Sequence, residues 1–310
     1  MRTLIFGANG YVGRHVVARL SRAGDAVTGV VRNAGGAATV AAHGGTPLIG
    51  DLADEGFLAR AFDEADRVVW AAQLMLAEER AFIDTALRLL AGSGKTFLFT
   101  GGTSLLSEHT EGAWSENTFA EDEPFVPRRQ LAPRLDTENA VRAASGQGLR
   151  TLCLRPPLIW GGGRIKAIDD LYHSARVTGA VCHVGSGLAC YSNVHVEDLA
   201  ELYALALDRG EGGALYHAVS GEMNYRQMAE AVAERLGVPV RSVTSEEAER
   251  IWDRFTALIV FGSCSRSRSP RARQELGWAP SPDRLDLLAE CASPIYAEGG
   301  ERALSSWATR

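Results

Sequence analysis

A chain of 310 residues with 46% apolar and 23% charged side chains has the composition of a soluble globular protein, long enough for one large α/β domain with a smaller lobe. The net charge of −6 gives no basic footprint for nucleic acid, and no apolar run reaches the length needed to cross a bilayer. Cys153, Cys182, Cys190, Cys264 and Cys291 form no C-x-x-C pair, so a reducing cytoplasm is the expected compartment. The N-terminus runs straight into an apolar strand, and no signal peptide is expected.

Thr3 to Phe6 read as a short buried strand. Gly7, Gly10 and Gly13 follow at three-residue spacing, and Val12, Val16, Val17 and Leu20 then repeat as one face of a helix. A strand that turns on glycines into a helix start makes an anion site, because free backbone N–H groups and the positive end of the helix dipole meet there. A second apolar strand over 26–31 completes the context in which this turn binds the pyrophosphate of a dinucleotide.

Strands are predicted over 2–6, 26–31, 46–49, 67–71, 96–100 and 150–155, with helices over 11–23, 35–43, 54–63, 77–91 and 133–145 between them. This alternation, with Val- and Leu-rich strands, predicts an α/β fold: a doubly wound, parallel Rossmann sheet covered on both faces. After Trp160 the pattern changes. Helices are expected near 164–178, 197–208, 224–236 and 245–255, and short strands near 181–184, 191–194 and 215–218. The expected division is a dinucleotide-binding domain over 1–160 and a smaller C-terminal substrate lobe over 161–310, partly interleaved with the sheet. The Ser- and Arg-rich run 263–273 reads as a solvated loop before a helix at 270–276.

Two local patterns are set aside. Gly92-Ser93-Gly94-Lys95-Thr96 looks like the tail of a P-loop, but Leu89 replaces its leading glycine and the segment precedes a strand. Asp169, Asp170 and His173 have helical ligand spacing, yet one short cluster without a second rarely holds a metal, and none is expected.

Six segments in order resemble the NAD(P)-dependent epimerase/dehydratase family, the extended and atypical short-chain dehydrogenase/reductases. They are the Gly7-x-x-Gly10-x-x-Gly13 turn, Gly50-Asp51-Leu52, Trp70-Ala71-Ala72, Leu154–Gly161 (LRPPLIWG), Val194–Ala200 (VHVEDLA) and Leu276–Pro280 (LGWAP). The resemblance implies cofactor contacts at Gly7, Asn9, Gly10, Tyr11, Val12 and Gly13, at Asp51 and Leu52 beside the adenine, at Ala71 and Ala72, and at Pro156 and Leu158 beside the nicotinamide. Strand two ends in Val31-Arg32-Asn33 with no acid to accept from a ribose 2′-hydroxyl. Arg32 instead suits a 2′-phosphate, so NADP(H) is expected over NAD(H), with Asn33 beside it.

The family's proton donor is a tyrosine with a lysine four residues on. Counting back from Arg155 and Glu138 places Gln130 and Arg134 there, and no tyrosine lies between Tyr11 and Tyr172. Gln130 does not titrate, and Pro133 marks the helix start, leaving Gln130 in a loop. Arg134 then takes the lysine's place toward the cofactor. Glu138, four residues on, reads as its ion-pair partner. Thr103 and Ser104 fall next to the family's serine position and are the candidate hydroxyls for a substrate oxygen. Among His109, His183, His195 and Tyr191, Tyr191 is the first choice of replacement donor. Trp114, Phe119, Trp160, Trp252 and Phe255 are candidate aromatic walls, with core packing the commoner fate of such residues.

These readings predict an NADP(H)-dependent reductase or dehydrogenase acting on a small carbonyl or hydroxyl compound, with no nucleic-acid or membrane partner and a homodimer as the assembly compatible with the chain. Two alternatives stay open: a non-catalytic NADP(H)-binding redox sensor, and a non-redox lyase, isomerase or cyclase on the same fold.

Overall fold

The computed structural model describes residues 1–146, 148–163 and 165–297. Position 164, at the start of one expected helix, and the last stretch assigned to the lobe, 298–310, lie outside the described residues.

The first half alternates strictly. Strand β1 (Arg2–Phe6) leads through the glycine turn into α1 (Tyr11–Arg22), and β2 (Ala26–Val31) follows. Then come α2 (Ala34–Ala42), β3 (Thr46–Ile49), α3 (Glu55–Asp63), β4 (Arg67–Trp70), α4 (Leu76–Leu90) and β5 (Thr96–Thr100). A short β6 (Glu108–His109) and a long loop precede α5 (Ala132–Ala143), β7 (Arg150–Arg155) and β8 (Leu158–Trp160). Pro133 sits in the first turn of α5, where its missing N–H leaves no helical bond unmade.

Next come α6 (Lys166–Thr178), β9 (Val181–Val184), β10 (Cys190–His195), α7 (Val196–Arg209), β11 (Ala214–His217) and β12 (Gly221–Asn224). They are followed by α8 (Tyr225–Leu236), β13 (Val240–Val243), α9 (Ser245–Ile251), a π-helical turn (Thr256–Phe261), β14 (Ser263–Cys264) and α10 (Pro270–Leu276).

Seven parallel strands form the main sheet in the order β11-β7-β5-β4-β1-β2-β3. The chain winds outward from β1 one way and then, from β4, the other way. The C-terminal ends of β1 and β4 therefore open a crevice at the topological switch point, where such folds bind ligands. Alternation along each strand divides two cores. Ile5, Val69, Leu98 and Leu152 pack beneath α1 and α7, whereas Leu4, Phe6, Val68, Trp70, Phe97 and Phe99 pack beneath α3 and α4. Trp70 stacks on Phe82 with ring centroids 4.2 Å apart.

A third core joins α6, α8, α9 and the π-helical turn around Leu171, Tyr172, Val181, Met228, Trp252 and Phe261. It includes the three-stranded sheet β12-β10-β8 and the pair β13-β9. From this region the chain returns through α7 to lay β11 on the edge of the main sheet beside β7. Among the described residues, no helix is long and apolar enough to cross a membrane.

The run 263–273 is not the solvated loop expected. Ser263, Ser265, Ser267 and Ser269 are buried, while Arg266 and Arg268 point outward to Glu222 and Glu123. Ser265 Oγ donates to the Thr103 carbonyl at 2.8 Å, and Ser192 Oγ both accepts from Ser267 N and donates to its carbonyl. Small hydroxyls inward and long cations outward, two residues apart, are a strand's alternation. The short polar side chains let this segment lace the lobe to the sheet. The Gly92–Thr96 segment is a loop, and Lys95 Nζ is spent on the carbonyls of Phe62, Asp63 and Ala65 at the end of α3.

Candidate active site

The turn after β1 is built by two glycines for the protein's own needs and one for a ligand's. Gly7 has φ +77°, and a Cβ there would lie 2.6 Å from the Ala72 nitrogen. At Gly13 a Cβ would fall 2.0 Å from the Gly7 carbonyl oxygen, so α1 packs directly on the turn. At Gly10 a Cβ would meet only the Gly7 oxygen, at 3.1 Å. The fold asks little of Gly10; its bare face opens outward. Gly10 caps α1 without a side-chain hydrogen bond, and no acid stands in the first turn. The helix start thus offers its N–H groups and its dipole to an anion, and these residues fit a dinucleotide pyrophosphate.

The crevice above this turn encloses about 630 Å³. Gly7, Asn9, Gly10, Tyr11 and Val12 form its floor, and Ala71 and Ala72 its β4 side. Arg32, Gly50 and Leu52 line one end; Gln73 and Ile159 line another stretch of wall. Arg32 is exposed and forms no ion pair among the described residues. Other expected cofactor residues stand elsewhere. Asn33 Oδ1 accepts from Gly36 N at 3.0 Å and so caps α2. Asp51 is exposed and accepts from Ala53 N at 3.0 Å. Pro156 is buried, and its carbonyl receives Thr103 N at 3.1 Å. Leu158 packs against the lobe core, and its neighbour Ile159 faces the crevice. Gln73 and Ile159 escaped sequence reading. The signal for Ile159 was the strand alternation within LRPPLIWG.

At Gln73 the crevice meets a second cleft of about 690 Å³. Gln130 and Arg134, which counting along the sequence set at the dyad's positions, both line it, as does Ser104 on the turn after β5. Arg128, Leu131 and, from the lobe, Arg254, Phe255, Leu258 and Ile259 complete the lining. Arg134 does not pair with Glu138. Its Nη2 lies 3.7 Å from Glu79 Oε2 on α4 and 3.5 Å from the Thr100 carbonyl. Glu138 is instead fully buried and grips Arg155 through two bonds of 2.6 and 2.8 Å. A helical i,i+4 spacing makes a pair only when no better-buried partner competes. Burial raises the pKa of Glu79, with Arg134 and the Trp70 indole acting against the rise.

Ser104 faces the second cleft, but Thr103 is buried. The Tyr191 hydroxyl lies behind this turn, beside those of Ser265 and Thr103, and lines neither cleft. Burial raises its pKa, and those two hydroxyls oppose the rise. His195 caps α7, its Nδ1 accepting from Glu197 N at 3.2 Å, and its ring packs on Trp160. Of the candidate aromatic walls, Phe255 lines the cleft, Trp160 and Trp252 are core, Phe119 packs on Phe125, and Trp114 lies under the Arg266 guanidinium.

A crevice at the switch point of the sheet, beside a glycine turn at a helix start, is the Rossmann arrangement. Residues 3–220 match the model of the NAD dependent epimerase/dehydratase family, and the chain belongs to that family. By that membership it is an NAD(P)-dependent enzyme. An uncharacterized protein of Schizosaccharomyces pombe is 32% identical over 96% of this chain and 100% of its own length. A 4-hydroxy-2-methyl-3-oxo-4-farnesyl-3,4-dihydroquinoline-1-oxide ketoreductase of Stigmatella aurantiaca is 25% identical over 90% of this chain and 92% of its own. Among solved structures, a dTDP-glucose 4,6-dehydratase of Bacillus anthracis in complex with NAD superposes with a TM-score of 0.76, at 15% identity over 97% of each chain, a likeness of fold.

Proposed function

We propose that the protein is an NADP(H)-preferring reductase or dehydrogenase of a small carbonyl or hydroxyl compound. One observation carries this reading: the second cleft opens off the cofactor crevice at Gln73 and presents Ser104 and Arg134. When bound, the nicotinamide supplies or takes the hydride. The protein's own part is to hold the substrate oxygen. Ser104 donates to it, and the Arg134 guanidinium stabilises the charge that develops there, which lessens the need for a strong acid. Tyr191 remains the proposed proton source, its hydroxyl lying behind the Ser104 turn beside that of Thr103. The ketoreductase relative supports a carbonyl substrate.

The preference for NADP(H) is supported by the crevice end at Arg32, Gly50 and Leu52, which carries a free guanidinium and no carboxylate among the described residues. A 2′-phosphate there gains a charge-assisted bond from Arg32. The second reading, an NADP(H)-binding redox sensor, is favoured by Gln130, which has no proton to give where the family's acid stands. Oxidation of NADPH and of NADH is followed against a panel of ketones. Turnover faster with NADPH supports the proposal; tight cofactor binding without turnover of any carbonyl favours the sensor.

A further inference from the structure

The second cleft combines two kinds of surface. Leu131, Phe255, Leu258 and Ile259 give it an apolar wall, two of them from the π-helical turn. Arg128 and Arg254 stand beside that wall, and no Asp or Glu lines the cleft among the described residues. Arg128 Nη1 donates to the Leu258 carbonyl at 3.1 Å and to Ser263 Oγ at 2.9 Å, both neutral acceptors. Its Nε and Nη2 make no hydrogen bond among the described residues. Burial lowers its pKa, and no carboxylate acts against that. Arg254 is exposed at the rim and forms no ion pair among the described residues. Arg155 pairs with Glu138, Arg266 with Glu222 and Arg284 with Asp198, whereas Arg150, also half-buried, is held by neutral acceptors as Arg128 is; Arg128 differs in lining a cleft. A partly desolvated guanidinium with unused donors on a cleft wall is suited to a ligand's anion.

We propose that the second cleft takes an oxo or hydroxy compound whose apolar body carries a carboxylate, the anion held by Arg128 inside and Arg254 at the rim. This deepens the reductase reading and rests on it for the identity of the reacting group. The planar fork of Arg128, fixed by Leu258 and Ser263, leaves two donors for a carboxylate. The hydrocarbon body lies on Phe255, Leu258 and Ile259. That wall disfavours a sugar nucleotide, which needs polar partners along its length.

The test is calorimetry on the protein saturated with NADP⁺ or NAD⁺, so that oxo compounds bind without turnover. The probes are 2-oxo acids of six to ten carbons, their methyl esters, and UDP-glucose. The acids are expected to bind at least about tenfold more tightly than the esters, the scale of one charged hydrogen bond. Arg128→Gln should cut that preference to under about threefold. Should that variant fail to fold, Arg254→Gln, at an exposed site, should still reduce the preference by roughly threefold, and added salt should weaken acids more than esters. Esters as tight as acids, a preference untouched in both variants, or UDP-glucose bound more tightly than the acids overturns the inference. Reduction of neutral ketones with no gain for acids overturns it while leaving the reductase reading intact. An Arg128-dependent preference for acids with no turnover of any carbonyl overturns the reductase reading and leaves the anion site standing.

Discussion

Arg134 on α5 reaches across to Glu79 on α4, with Nη2 3.7 Å from Oε2, and the Trp70 indole donates to the same oxygen at 3.3 Å. The carboxylate is almost wholly buried, so its charge depends on that guanidinium. Arg134→Met should destabilise the fold by about 2–4 kcal/mol at neutral pH, because it strands a buried carboxylate. Glu79→Gln combined with Arg134→Met should recover much of the loss, as measured in a double-mutant cycle by urea unfolding. Additive losses would show that the two groups do not interact.

The same carboxyl sets a pH dependence. Burial raises the pKa of Glu79 in the folded state. The native protein therefore holds that proton more tightly than the unfolded chain does. The stability this contributes is full below the ordinary glutamate pKa and is lost as pH rises through the raised value. Glu79→Gln should flatten that decline in unfolding curves collected from pH 4 upward. An unchanged profile would place the titration elsewhere.

Arg32→Ala should weaken NADPH by about 1.5–3 kcal/mol, the scale of one charged hydrogen bond, and leave NADH nearly unchanged. Fluorescence titration with both cofactors checks this. Equal losses for the two, or none, would remove Arg32 from cofactor choice.

The glycine turn separates ligand needs from folding needs. Gly10→Val should abolish cofactor binding while the protein stays folded, since a Cβ there meets only the Gly7 oxygen at 3.1 Å. Gly13→Ala should instead destabilise the protein itself, because its Cβ would fall 2.0 Å from the Gly7 oxygen. Thermal unfolding and calorimetry on both variants read the difference. Retained binding in a folded Gly10→Val protein would mean that no pyrophosphate lies on the turn.

On any compound the enzyme turns over, Tyr191→Phe and Ser104→Ala should each lower kcat by roughly tenfold or more with cofactor affinity unchanged. Gln130→Ala should do little. A damaging Gln130→Ala beside a silent Tyr191→Phe would move the proton source to the loop before α5.

Most of the Rossmann half was legible from the chain alone. The strand predicted over 26–31 is Ala26–Val31, that over 96–100 is Thr96–Thr100, and that over 150–155 is Arg150–Arg155. These strands are buried on both faces, so their apolar runs are continuous and unmistakable. The glycine turn was legible for a related reason: Gly10 and Gly13 close on Gly7 within a few positions, although Ala71 and Ala72 after β4 press on Gly7 from far along the chain. Arg32 at the crevice end was also readable, because it directly follows the second strand.

What the sequence could not decide was which distant groups meet. Arg134 and Glu138 have the spacing of a helical pair, but α4 brings Glu79 to the first and β7 brings Arg155 to the second. The serines of 263–269 have a polar composition, yet tertiary packing buries them against β10 and the Thr103 turn. The second cleft is made from α5, its preceding loop and the π-helical turn, more than a hundred residues apart along the chain. Local hydrogen bonds and apolar periodicity act over a few residues and are written in their order. Ion pairs, buried hydroxyls and cleft walls depend on the packing of whole elements, and only the folded chain sets those neighbours.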